Sequence, residues 1–268
     1  MKKILIQIVV FFILLVQMGC TQIGNAFGNI NFYSDDEERS IGSQYAYQIE
    51  QEINLYNDKV IERYINDLGQ RLVKYSKRSN IPYRFKVVND PAINAFAIPG
   101  GFCYVNLGLI QLAETESELA GVIAHEVGHV VGKHGMEQMS KQTGLGFISQ
   151  IFLGPNTGFT EQLIANMISN GLLLKYGRGA ELEADKLAIE EMHAAGINPV
   201  GVINFFEKLA EKEKVNNSDV ARLMSTHPPT NDRIKYAKKH IKKLSNKKYD
   251  SLKSIRFDRI KSRLLKKN

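Results

Sequence analysis

Cysteine is nearly missing from this chain: of 268 residues, only Cys20 and Cys103 carry a thiol. Cys20 closes an N-terminal leader-like stretch, so the chain beyond it holds a single thiol and cannot close an intrachain disulfide. Such a domain must be held by its apolar core, and it is long enough to have one. Cys103 reads as a small buried strand residue. Long hydrophobic runs are missing as well. The longest leading run, Ile4 to Val16 behind Lys2 and Lys3, has 13 residues. That is too short for a comfortable membrane span and fits the apolar region of a signal peptide. Internal repeats are absent, which excludes a tetratricopeptide array.

Acidic residues become scarce toward the C-terminus. Residues 235–268 carry 14 Lys or Arg against two Asp, a balance of +12 that leaves −5 for the remainder. Nucleic acid is not the expected partner, because the leader directs the chain out of the cytoplasm. Two readings stay open for the segment: attraction to anionic lipid head groups, or a solvated, partly helical terminus. Its apolar Phe257, Ile260 and Leu264 can equally dock on the domain.

What is present centres on His125-Glu126-Val127-Gly128-His129, an H-E-x-x-H pattern. Histidines four apart share one helix face, about 6 Å from each other, and can grip one zinc ion. The glutamate between them can take a proton from water that the ion has activated. Thr115-Glu116-Ser117-Glu118 has capping-box form and opens the helix. Ala120, Val122, Ile123, Val127, Val130 and Val131 make that helix a buried one, so its histidines need partners. A metzincin continuation fails, because Gly135 stands where its third histidine belongs. His134, one residue early, would point roughly 140° away from His129 on a continuing helix, and reads as structural or surface.

A third ligand is offered by Glu181, with Asp185 four residues on along the same helix face. Glu181 completes a His₂Glu catalytic set, while Asp185 can accept the outer ring N–H of a ligating histidine. Glu183 points elsewhere, toward solvent. His227, between Thr226 and Pro228-Pro229, is placed in an extended loop. It can hydrogen-bond a tetrahedral oxyanion, serve as a fourth ligand at rest, or be an ordinary loop histidine. Alternation at Phe85, Val87, Ala95 and Ala97 predicts strands, with Pro99-Gly100-Gly101 as a turn. Helices are expected from Ser34 toward Tyr56 and from Asp58 to Ser79. The Gly-rich stretch 144–158 reads as a lid over a cleft or as a solvent-facing loop.

Taken in order, these motifs resemble the HtpX and CAAX-prenyl-endopeptidase type of zinc metallopeptidase, in its periplasmic BepA- and LoiP-like branch. The resemblance runs over roughly residues 34–235. It is carried by Asn94 to Gly101, Tyr104 to Leu109, the His125–His129 pentapeptide, Arg178 with Glu181 to Asp185, Ala195 to Pro199, and Thr226 to Pro229 with Arg233. It implies one zinc ion per chain held by His125, His129 and Glu181, with Glu126 as base. Asp185 and Arg178 would support the ligands, and His227 would approach the metal or the oxyanion. The edge strand with Asn94, Ala95, Phe96 and Ala97 would bind substrate backbone by β-augmentation, unless it is an ordinary core hairpin. The implied fold class is α+β, mainly helical: a zincin-like (gluzincin) domain with a small sheet beside the active-site helix.

The implied activity is zinc endopeptidase action on misfolded or stalled envelope proteins, and the alternative is a zinc-stabilised, chaperone-like binding lipoprotein. Residues 1–19 are expected to be a lipoprotein signal, cleaved before Cys20, which would become the lipid anchor facing the periplasm; an uncleaved anchor is the other option. Residues 20–33 would be a tether, 34–234 the peptidase domain and 235–268 a basic tail.

Overall fold

A computed structural model describes residues 33–141, 175–214, 221–228, 231–252 and 254–266. The expected signal peptide, Cys20, nearly all of the tether and the stretch 144–158 lie outside the described residues. Among those described, no helix is long and apolar enough to cross a membrane.

Helix α1 (Asp35–Glu52) starts from a complete capping box: Ser34 Oγ accepts from Glu37 N, and Ser34 N donates to Glu37 Oε2. Helix α2 (Lys59–Val73) is capped by Asp58, which accepts from Val60 N and Ile61 N. Its Ile61, Tyr64, Ile65, Leu68 and Leu72 are buried at helical spacing, as the sequence predicts, although the helix ends six residues before Ser79.

Three strands follow: β1 (Arg84–Val88), β2 (Ala95–Ile98) and β3 (Phe102–Asn106), in the order β1-β3-β2. β1 runs parallel to β3, with Phe85 opposite Cys103. β2 runs antiparallel to β3, with Ala97 opposite the same Cys103. The predicted Pro99–Gly101 turn joins β2 to β3, and β2 is an outer strand of the sheet.

Helix α3 (Leu107–Leu112) leads into α4 (Glu116–Val131), which carries the pentapeptide. Thr115 accepts from Glu118 N, but the Glu118 carboxylate accepts the Glu114 N–H instead of closing the box on Thr115. Every residue of α4 from Ser117 to Val130 is buried. After it come α5 (Arg178–Ala194), α6 (Val200–Lys214), α7 (Ala221–Thr226), α8 (Asn231–Ile241) and α9 (Ile255–Leu265).

α4 lies against α5, α6 and the sheet. Its approach to α5 is close enough that a Cβ on Gly128 would stand 2.8 Å from Ala184 O, so only glycine allows it. The main core fills the space between one sheet face and α2, α4, α5, α6 and α9. A second cluster, with Tyr45, Phe96, Ile98, Phe102, Tyr104, Met136 and Met139, lies toward α1.

Residues 235–266 are not a free tail, and the boundary expected at 234 is not a structural one. Phe257, Ile260 and Leu264 of α9 are buried in the main core, with Phe257 stacked 6.2 Å from Tyr64. Arg263 Nε donates to Asp58 Oδ2 at 2.8 Å, and Lys261 Nζ donates to Ala113 O at 2.8 Å. Phe257→Ala should therefore cost ~3–5 kcal/mol, the range for a buried aromatic replaced by alanine. Urea denaturation would measure it; a change near zero would mean that α9 is dispensable.

Glu191 of α5 is buried, coupled electrostatically to Tyr83 and Cys103. Burial pushes its carboxyl up to about 8, against a partial pull from the Ser76 hydroxyl, and the neighbouring Glu190 adds to the rise. Below its ordinary 4.5 both folded and unfolded states hold the proton, and Glu191 costs nothing. Between 4.5 and about 8 only the unfolded chain ionises, so stability falls as pH rises, and the cost is complete above about 8. Glu191→Gln should thus raise the melting temperature more at pH 8 than at pH 5. Equal shifts at the two pH values would rule this out.

Candidate metal centre

Four donors converge where α4, α5 and the end of α7 meet. They are His125, His129, Glu181 and His227, all buried, with their ligand atoms within 4.8 Å of one another. His125 Nε2 lies 3.0 Å from His129 Nε2 and 3.3 Å from His227 Nδ1. Glu181 Oε1 lies 3.4 Å from His129 Nε2 and 3.0 Å from His227 Nδ1, and its Oε2 lies 3.4 Å from His125 Nε2. A tetrahedral ion bound at about 2.0–2.1 Å separates neighbouring donors by about 3.3 Å. The cluster has that spacing, so its donor set and dimensions both fit a tetrahedral divalent ion.

His227 is brought there by local structure that the prolines only partly reveal. It is not in a long extended loop but directly follows α7, its N–H bonded to Leu223 O at 2.7 Å, and Pro228 prevents the helix from continuing. Its Nδ1 faces the cluster, while Nε2 lies 3.8 Å from Glu126 Oε1.

Glu126 is buried, with Oε1 lacking a hydrogen-bond partner. Burial raises its pKa; the positive character of His227 and His125 and the Ala97 N–H of β2 oppose the rise. The prospective base is therefore hydrogen-bonded to the strand expected to hold substrate. Asn94, Ala95, Phe96 and Ala97 are all buried, and Asn94 Oδ1 has no partner. A small pocket beside the ends of β2 and α4 is lined by Ala97, Ile98, Pro99, His129, Met136 and Tyr176 among others. A second small pocket borders His125, Glu126, His227 and Arg233, and the rest of its lining is mostly apolar, with Val122, Val202, Phe205, Phe206 and Leu223.

Asp185 Oδ1 lies 2.9 Å from His125 Nδ1, the outer nitrogen of that ring. Burial alone would lower the pKa of His125, but Asp185 and Glu181 raise it to about 9. His129, without such an anion on its outer side, is held well below the ordinary value by burial and by the neighbouring His125 and His227.

The arginine at this site is Arg233, not Arg178. Arg178 is exposed at the first turn of α5, so the role expected for it is corrected. Arg233 is buried; its Nε and Nη2 donate to the two oxygens of Asp185, each at 2.7 Å. Its Nη1 lies 2.7 Å from Glu181 Oε2 and donates to Pro228 O at 3.1 Å, tying both carboxylates to the His227 loop. In the sequence Arg233 follows Thr226-His227-Pro228-Pro229 with nothing to assign it a role. Tyr176 has no motif of its own; its ring stacks on His129 at 4.0 Å.

For His134 the structural alternative fits and the surface one is corrected. Neither on the surface nor turned from His129, it is buried with Nδ1 2.9 Å from His129 Nδ1.

The model of Peptidase family M48 matches residues 60–241. The chain belongs to peptidase family M48. It is 31% identical to the beta-barrel assembly-enhancing protease of Yersinia pestis over 214 residues, 76% of this chain and 44% of that protein. The protein of that name from Escherichia coli (strain K12) is 30% identical over 207 residues, 74% of this chain and 42% of that one. The mitochondrial metalloendopeptidase OMA1 of Schizosaccharomyces pombe is 30% identical over 173 residues, 64% of this chain and 50% of that one. The chain thus spans less than half the length of the two bacterial M48 relatives. Arg178 and Arg233 accompany different motifs, and their burial separates their roles. Arg233→Met leaves Asp185 and Glu181 buried without their cation, and should cost ~3–5 kcal/mol. Arg178→Met, at an exposed position, should change stability by no more than ~0.5 kcal/mol. Thermal denaturation of the metal-free variants would compare them, and similar losses would reject the assignment.

Proposed function

We propose that this protein is a zinc-dependent endopeptidase of the bacterial envelope, holding one zinc ion per chain and tethered to the membrane through a lipid on Cys20. The observation that carries the reading is the four-donor cluster beside a buried, half-partnered Glu126. In it His125, His129 and Glu181 would hold the ion. Bound there, zinc would act as a Lewis acid and lower the pKa of water.

Glu126 takes a proton from the attacking water and later delivers it to the leaving amine; its raised pKa suits both halves of that task. His227 either completes the ligand set at rest or turns toward the oxyanion, where an N–H would stabilise the developing charge. Asp185 and Arg233 fix His125 and Glu181. The outer strand β2 offers main-chain groups to an extended substrate, and main-chain pairing suits a protease of unfolded chains.

Misfolded or misassembled envelope proteins are the proposed substrates, through the name of the bacterial relatives and the leader at residues 1–19. Anionic lipid contact by the basic segment would add to the tether.

The test is cleavage of an unfolded protein at matched zinc content by wild type and Glu126→Gln. The variant should keep about one zinc per chain and lose turnover by at least ~100-fold, the usual contribution of a general base. Equal turnover would remove Glu126 from the mechanism, and folded wild type that binds no zinc would sink the proposal.

A further inference from the structure

His134 is not a donor to the four-atom cluster, yet the chain is locally built to deliver it there. On an unbroken helix it would stand roughly 140° around the axis from His129. α4 instead stops at Gly132, and Lys133 takes φ +55°, a left-handed conformation disfavoured for a non-glycine residue. The chain is helical again over residues 134–141, displaced so that His134 returns over the His129 ring. Gly132 is part of this arrangement. A Cβ there would stand 2.5 Å from His134 Nε2, and ring atoms on a buried side chain cannot give way. His134 is 3% exposed.

Two imidazole nitrogens facing each other at 2.9 Å make a hydrogen bond only if one carries the proton. His129 must keep Nε2 free to ligate, so its proton sits on Nδ1 and is donated to His134 Nδ1. His134 then carries its own proton on Nε2, which lies 3.4 Å from Glu183 Oε2. Glu183 has a side chain 58% exposed, so the chain of contacts runs from the cluster to the surface. Tyr176, stacked on the His129 ring, restrains it from another side.

We infer that His134 is a positioning residue for His129, fixing its tautomer and ring orientation as a metal ligand, with Glu183 fixing His134 in turn. The inference rests on the reading of His129 as a ligand. The two histidine ligands are therefore supported differently: His125 by the anionic Asp185, and His129 by a neutral imidazole. A neutral acceptor polarises His129 less, which leaves more positive charge on the ion and strengthens it as a Lewis acid.

The test measures zinc affinity by chelator competition, with the visible absorption of the cobalt-substituted protein as a second readout of ligand geometry. His134→Phe keeps a ring but has no acceptor, and should weaken zinc binding about 10–100-fold and alter the cobalt spectrum. His134→Asn keeps an acceptor near the Nδ1 position and should restore most of the affinity. Glu183→Ala, at an exposed position that does not threaten folding, removes the acceptor of the His134 N–H and should weaken binding about threefold, the worth of a half-exposed hydrogen bond. It carries the test if the Phe variant does not fold. Equal losses in the Phe and Asn variants would assign His134 to packing alone and overturn the inference, as would wild-type affinity in the Phe or the Ala variant. Wild type that binds no zinc would instead overturn the reading of the cluster, and this inference with it.

Discussion

Everything at this site depends on how negative charge is accommodated inside the protein. Glu126, Glu181 and Asp185 are all buried within one cluster, and Arg233 is the guanidinium buried with them. Ionised, three carboxylates against one guanidinium leave two negative charges in a region where each desolvated ion costs several kcal/mol. That surplus is what a divalent cation cancels, with the histidines neutral and ligating. The same surplus draws protons onto His125, whose pKa rises to about 9 despite burial. Binding of the ion is thus the event that makes this interior electrically tolerable, and metal affinity and stability are coupled by construction. Arg233 is the fixed half of that balance, which is why it contacts Asp185, Glu181 and the carbonyl before the second proline.

Such a balance works only if the two helices hold their spacing. Gly128 lies between His125 and His129 and meets Ala184, which itself lies between Glu181 and Asp185. A close backbone approach of α4 to α5 therefore falls at the level of the donors. On the other flank, the Ala97 N–H reaches Glu126 from an outer strand, so the sheet also sets the position of the base. The antiparallel register that puts Ala97 opposite Cys103 turns that N–H away from β3, toward α4. Helix packing fixes the donors, and strand register fixes Glu126.

How much of this could be read from sequence divides along the distance over which each residue acts. His125, Glu126 and His129 are set by helical period alone, and Glu181 with Asp185 by the same period on a second helix. The hairpin around Pro99 to Gly101 and the caps at Ser34 and Asp58 are equally local. Arg233 and Arg178 are not separable that way, since sequence does not say which of them reaches Glu181 and Asp185, and only the packing of α8 on α5 decides between them. His134 escaped for a different reason. A left-handed lysine has no sequence signature, so the helix was continued through Lys133 and the histidine carried to the wrong face. Tyr176 lacks any pattern, because an aromatic stacked on a ligand is specified purely by tertiary contact.

The basic segment shows why composition misleads where periodicity does not. Its charge balance suggests a solvated arm, yet Phe257, Ile260 and Leu264 recur at the spacing of one helix face and are buried. Several of its cations have work within the domain. Lys247 Nζ donates to the carbonyls of His193 and Ala194, closing the C-terminal end of α5, the helix that carries Glu181 and Asp185. Lys261 does the same near the end of α3, Lys238 pairs with Glu207, Arg256 with Asp67, and Arg263 with the capping Asp58. A cation hydrogen-bonded to a helix end is not a free charge for a lipid surface. The field that such a surface would feel is accordingly smaller than the formal +12. The segment's firmest contribution is to hold α2, α3 and α5 in place, and through α5 to hold the carboxylates on which the metal centre depends.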